Sequence, residues 1–186
     1  MQNGSFLRWR WIAVLAVVAF GAVWASRIVN SPAHQGGISW VSETPQPVPA
    51  FSFTDQDGKT LSLADFKGKL VVLDVWATWC TPCRAEFPRL DHLQEALGEK
   101  GLAVVPVSVD LGGKKPVDRF YDDIGVKALA KYFDPSNASA KALSLRGLST
   151  TLIIDRDGNE IARIEGEAPW DSPETLARFQ SMLARG

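Results

Sequence analysis

The stretch Leu70-Val71-Val72-Leu73-Asp74-Val75-Trp76 is apolar and rich in β-branched residues, broken only by one aspartate. It reads as a buried strand. Trp79-Cys80-Thr81-Pro82-Cys83-Arg84 follows almost at once. From Arg84 to Leu97, the residues Phe87, Leu90, Leu93 and Leu97 recur at helical spacing, so this segment reads as a helix. A strand running straight into a helix places both cysteines at the helix N-terminus. Free N–H groups and the positive end of the helix dipole stabilise a thiolate there. Pro82 suits the first turn, where its missing N–H costs nothing. No other cysteine occurs in the 186 residues. A disulfide between these two would close a very small ring and restrain the unfolded chain little, so a stabilising staple explains them poorly. The pair reads as a redox dithiol, with Cys80 the exposed attacking sulfur and Cys83 the resolving one beneath it.

Composition narrows the alternatives. Tetrahedral zinc needs more ligands than two thiolates. The only histidines are His34 and His92, the first in a Pro/Ser/Gly-rich stretch and the second on the helix face. No metal is expected, and no cofactor beyond the Cys80/Cys83 dithiol. Apolar residues make up 46% and charged residues 22%, with a formal charge of −1. This is ordinary globular composition, without the basic surplus that nucleic-acid binding calls for.

Three segments are expected. In residues 1–29, Arg8 and Arg10 precede an apolar run from Trp11 to Ala25, and Arg27 is the only charge near its far end. The run is either a signal peptide or a single membrane anchor. Val23-Trp24-Ala25 offers a small residue for cleavage, but Trp24 crowds that site and apolar character continues through Ile28-Val29. The expectation is an uncleaved anchor in a bacterial inner membrane, with the N-terminus cytoplasmic and the rest in the periplasm. Cleavage would leave a soluble periplasmic protein. Residues 30–49 carry four prolines and no apolar period, as a linker does. Residues 50–186 form the folded domain. It should open with a β-hairpin around Asp55-Gln56-Asp57-Gly58. The buried strand and helix follow, then a second strand over 102–109, a loop at 112–116 and a short helix over 117–124. A brief strand or helical turn over 128–133 and a helix over 136–145 come next. A hairpin of 150–154 with 160–165 and a final helix capped by Ser172 complete the chain. This order describes an α/β domain with a mixed central sheet and helices on both faces.

The segment Val75-Trp76-Ala77-Thr78-Trp79-Cys80-Thr81-Pro82-Cys83-Arg84-Ala85-Glu86-Phe87-Pro88 resembles the active site of membrane-anchored thioredoxin-fold reductases of the TlpA/ResA type. The similarity continues through Arg146-Gly147-Leu148, Thr150-Thr151 and Asp155-Arg156-Asp157-Gly158, and includes an insertion around 117–140. It implies a thioredoxin fold and a periplasmic enzyme that reduces disulfides of client proteins, in cytochrome c or cytochrome oxidase maturation. A membrane electron donor of the thiol-disulfide type would keep it reduced. It also implies roles for single residues. Asp74 stands where thioredoxins bury an acid under the dithiol, although many TlpA-like members have Asn there. A buried Asp has a raised pKa and could take the proton of Cys83. Glu86, one turn beyond Cys83, could tune that thiol. Trp79 would pack over the disulfide or join Thr81, Pro82 and Leu148 in the client-binding surface.

One position departs from the pattern. Ser149 stands where the family has a cis-proline facing the dithiol. Either the loop turns trans and alters the client groove, or the fold holds a cis bond that costs about 2.5–4 kcal/mol without proline. A serine there could also hydrogen-bond a thiolate or admit a metal. Two other functions share such a fold: a disulfide-donating oxidase and a copper-handling protein. A thiol peroxidase needs Thr-x-x-Cys, and Thr78 is one residue too close to Cys80.

Overall fold

The computed structural model describes residues 44–185. The expected anchor at 1–29 and the expected linker up to residue 43 lie outside them.

Among the described residues, eight strands form one sheet. They are β1 (Gln46–Pro47), β2 (Ser52–Asp55), β3 (Thr60–Ser62), β4 (Leu70–Trp76), β5 (Leu102–Ser108), β6 (Tyr132–Phe133), β7 (Thr150–Ile154) and β8 (Asn159–Glu165). The helices are α1 (Thr81–Leu97), α2 (Lys114–Ile124), α3 (Ala138–Ala142) and α4 (Pro173–Ala184). The strand order is β1-β8-β7-β4-β5-β6-β2-β3. Every residue of β4 and β5 is buried, as continuous apolar runs in a sheet interior should be. β4 runs parallel to β5 and antiparallel to β7, so Asp74 lies between Pro106 and Thr151. The sheet is mixed, as the strand and helix order implied, with the thioredoxin-type core that the resemblance implied.

A cluster of rings ties the central strand to two helices. Trp76 of β4 lies 4.1 Å from Phe87 of α1 and 5.1 Å from Phe120 of α2, measured between ring centroids. Phe87 and Phe120 meet edge to face at 5.2 Å. Such contacts bury large apolar area and add about 0.5–1.5 kcal/mol per pair beyond it. Asp91 of α1 supplies a polar tie. Its carboxylate accepts main-chain N–H bonds from Lys127, Ala128 and Leu129, the shortest at 2.7 Å, and fixes the segment after α2.

The structure departs from the sequence expectation at three places. Gln46 and Pro47, expected in the linker, form β1 against Glu160 and Asn159 of β8. Proline is acceptable there because β1 is an edge strand. α2 starts at Lys114, within the expected loop. The helix expected over 136–145 shrinks to α3, because Asn137 and Ser144 flank it in left-handed conformation at φ 57° and 51°. Asp134 also takes hydrogen bonds from Ser136 Oγ and from both the N–H and Oγ of Ser139, which offers these serines an alternative to a longer helix.

Candidate active site

Cys80 is the N-cap of α1. Its backbone is extended, and its Sγ accepts the Cys83 N–H at 3.4 Å. An N–H aimed at the sulfur, with the helix dipole behind it, favours the thiolate once the bond to Cys83 is reduced. In this structure the two sulfurs are joined as a disulfide. Cys83 is wholly buried. Cys80 is only 7% exposed, so the ranking of the two sulfurs is as expected but the attacking one is far less open than the sequence suggested. The side chains around it are the open ones. Thr81 and Pro82 are exposed, Leu148 is half-buried, and Trp79 is 68% exposed. That exposure leaves Trp79 on the outer surface beside Cys80. Leu111 is the other large apolar side chain left in solvent among the described residues.

A polar brace that sequence reasoning missed fixes the approach to Cys80. Asp110 follows β5 as Cys80 follows β4, at the same end of two parallel strands. Its carboxylate accepts the Thr78 N–H at 2.8 Å and the Thr78 hydroxyl at 2.7 Å. Ser108 Oγ donates to the same carboxylate at 2.8 Å. Arg84 donates to the Thr78 carbonyl at 3.1 Å, and its guanidinium lies over the Phe120 ring. The turn between strand and helix is therefore held from both sides.

Two buried carboxyl groups lie in the core, on β4 and α1. Asp74 is fully buried in β4. Thr151 Oγ1 approaches its Oδ1 at 3.4 Å, while Oδ2 has no partner. Burial, and then the charge of Glu86, push its pKa well above the usual carboxylate range. Glu86, also fully buried, is no solvated helix charge. Ser149 Oγ donates to its Oε1 at 2.8 Å and Trp170 Nε1 donates to its Oε2 at 2.9 Å. Burial raises its pKa, and these two donors work against the rise. Nothing near Glu86 in sequence announces either donor.

The loop before β7 answers the question left by Ser149. No cis peptide occurs among the described residues, and Ser149 sits at φ 60° in the left-handed region. The trans alternative is the one adopted. Proline could not replace serine in this conformation, because its ring holds φ near −65°. The Ser149 hydroxyl turns inward to Glu86, which corrects the expectation that it could bond a thiolate or a metal. Its carbonyl accepts the Gly166 N–H at 2.7 Å, and its side chain is shut off from solvent. Gly147 and Leu148 are the more open residues of this loop. Among the described residues, no cluster of His, Cys, Asp and Glu side chains is gathered to hold a metal ion.

Such a site can exchange disulfides. A Cys80 thiolate attacks a client disulfide and forms a mixed disulfide, and one client sulfur leaves. Cys83 then loses its proton and attacks Cys80 Sγ. The Cys80–Cys83 bond forms and the second client sulfur leaves.

Known proteins are similar to this chain in sequence and fold. The Redoxin family model matches residues 43–182. The thiol-disulfide oxidoreductase ResA of Bacillus thuringiensis subsp. konkukian is 35% identical over 133 residues, covering 67% of this chain and 71% of its own. ResA of Bacillus subtilis is 32% identical over 118 residues, covering 63% and 65%. Among solved structures, a proposed thiol:disulfide interchange protein DsbE from Chlorobium tepidum superposes with a TM-score of 0.66 at 29% identity, over 76% of this chain and 98% of that one. An exposed lipoprotein thioredoxin from Streptococcus pneumoniae superposes at 0.57 and 29% identity, over 72% and 97%. With a cysteine pair capping the first helix of a thioredoxin fold, this chain belongs to the Redoxin family as a ResA-like thiol-disulfide oxidoreductase.

Proposed function

We propose that this enzyme works in the reducing direction on disulfide-bearing client proteins in a bacterial periplasm, in support of cytochrome c or cytochrome oxidase maturation. The observation that carries the reading is the placement of the two sulfurs. Cys80 caps the helix under a direct N–H bond, and Cys83 is closed to solvent. A client therefore meets Cys80 first and is released by Cys83. The reading needs no bound cofactor, only the dithiol. The arginine-flanked apolar run at 11–25 supports a membrane anchor that holds this domain outside the cytoplasm, where a membrane electron donor of the thiol-disulfide type would reduce it. The copper-handling alternative loses its main support, because the Ser149 hydroxyl is engaged by Glu86.

Trapping tests the reading. Cys83→Ser leaves the first attack intact and removes the second, so the full chain expressed in a bacterial envelope should accumulate a mixed disulfide through Cys80. The mass of the trapped partner names the client. A Cys83→Ser protein that never forms this adduct refutes the assigned attacker. The reduction potential settles direction: a reductase lies well below the glutathione range, and a value near about −120 mV marks an oxidant.

A further inference from the structure

The two side-chain partners of Glu86 differ in kind. Trp170 Nε1–H can only donate. A serine hydroxyl can donate to a carboxylate or accept from a carboxylic acid. Ser149 is therefore the partner that can serve Glu86 in both protonation states.

The route by which Ser149 reaches Glu86 is unusual. Its φ of 60° is uncommon for any residue but glycine. The turn is fixed by hydrogen bonds on both sides. Gly166 N–H holds the Ser149 carbonyl at 2.7 Å, and Thr150 Oγ1 holds the Gly147 carbonyl at 2.8 Å. A left-handed non-glycine residue that is buried and aimed at a buried acid points to a use for that conformation. The contact joins positions 63 residues apart, on α1 and on the loop before β7.

We propose that Ser149 is a positioning residue for disulfide exchange: its hydroxyl holds Glu86 Oε1 in place, one helical turn from Cys83, and keeps this side chain oriented and charged while the dithiol reacts. The inference deepens the oxidoreductase reading and rests on it. The charged groups facing Glu86 are Asp74 from β4 and Glu167 from the loop before α4. Both are negative and both oppose its charge, and Glu167 is partly offset by Arg89 at 3.7 Å. Neutral donors must therefore sustain the charge: Ser149 and Trp170, with the main chain of Ala168. Removing one such donor from a buried carboxylate favours the neutral form.

Ser149→Gly tests this directly. Glycine keeps the left-handed turn at no steric cost, and removes the hydroxyl together with the Cβ that strains it. Ser149→Ala deletes only the hydroxyl and keeps the left-handed strain that serine already bears, so comparing the two variants separates bond from backbone. In the oxidised full chain carrying 13C-labelled glutamate, the Glu86 carboxyl carbon is followed against pH and assigned with Glu86→Gln. The expected result is a midpoint about one pH unit higher in both Ser149 variants, with a lower Tm in Ser149→Ala than in Ser149→Gly. Single-turnover reduction of a disulfide peptide by the pre-reduced protein should show its acid limb moving up by the same amount. An unmoved midpoint overturns the proposal, and so does a midpoint that moves while the rate profile stays. The unsubstituted chain is the separate arm. If it fails to reduce the peptide at any pH, the oxidoreductase reading falls, and the Glu86 midpoint still reports on the Ser149 contact.

Discussion

Asp74 and Glu86 are the same functional group in nearly opposite surroundings. Both are wholly buried, and burial raises the pKa of both. Glu86 has a hydroxyl on one oxygen and an indole N–H on the other. Asp74 has one long contact and one bare oxygen. A buried acid without donors keeps its proton, and one with donors can give it up. Two like carboxyls that feel each other but differ in donors are thus pushed toward different protonation states, which is how one site comes to hold both a neutral acid and a charged one. On this reading Asp74 holds its proton more firmly than Glu86 does.

The sharpest way to break this comparison is to remove each carboxyl in turn. Glu86→Met keeps most of the volume but strands the Trp170 N–H and the Ser149 hydroxyl in the core. An unsatisfied buried donor costs about 1–3 kcal/mol, so the two together should cost about 2–5 kcal/mol in denaturant unfolding. If Glu86→Met is as stable as the parent, the donors find other partners and the contrast with Asp74 fails.

Asp74→Asn should act in the opposite direction. A folded-state pKa raised above the unfolded value means that the native state binds more protons than the unfolded one over the interval between them. The contribution of Asp74 to stability is then fully present below the unfolded pKa, near about 4, and is lost as pH rises through the folded value. Asparagine does not ionise, so it escapes that loss. The variant should match the parent in acid and exceed it near neutral pH. Parallel urea titrations at several pH values measure the gap. A gap that shrinks with rising pH would show that Asp74 is stabilised as the anion. The same substitution should slow client release wherever Asp74 takes or supplies the proton of Cys83.

The contrast between the two acids also marks how far the sequence could be read. The buried run at 70–76, the cysteines at the helix start, both hairpin turns and the Ser172 cap all rest on residues within a few positions of one another. These elements appear where the pattern puts them. The redox pair was legible for the same reason. What surrounds it was not. Glu86 meets partners 63 and 84 residues away, and Thr78 meets Asp110 across 32. A glutamate on a helix carries no local sign that a tryptophan from a distant loop will cover it. Asp110 left a faint trace, as an acid just past a buried strand parallel to the active one. Ser149 showed only as a departure from a family pattern. Its left-handed backbone, which turns the hydroxyl inward, is set by Gly166 and Thr150 contacts that no local rule reports. The serine-rich segment 136–145 misled for a related reason, since its side chains bond Asp134 rather than leave the main chain to a helix.

The smallest expected effect separates burial from the number of bonds. Arg146 makes three hydrogen bonds to Glu165, at 2.8–3.0 Å, more than the two side-chain bonds that hold Glu86. The Arg146 side chain is 83% exposed. Water already solvates both charges in the unfolded chain and nearly so in the folded one. The pair also gives up side-chain freedom to stay in register, and salt screens it. Arg146→Ala should therefore change stability by no more than about 0.5 kcal/mol, even though it removes more bonds than Glu86→Met does. A loss comparable to that of Glu86→Met would mean that bond count, not burial, sets the value of a polar contact here. The argument that gives Ser149 and Trp170 their importance would then fail with it.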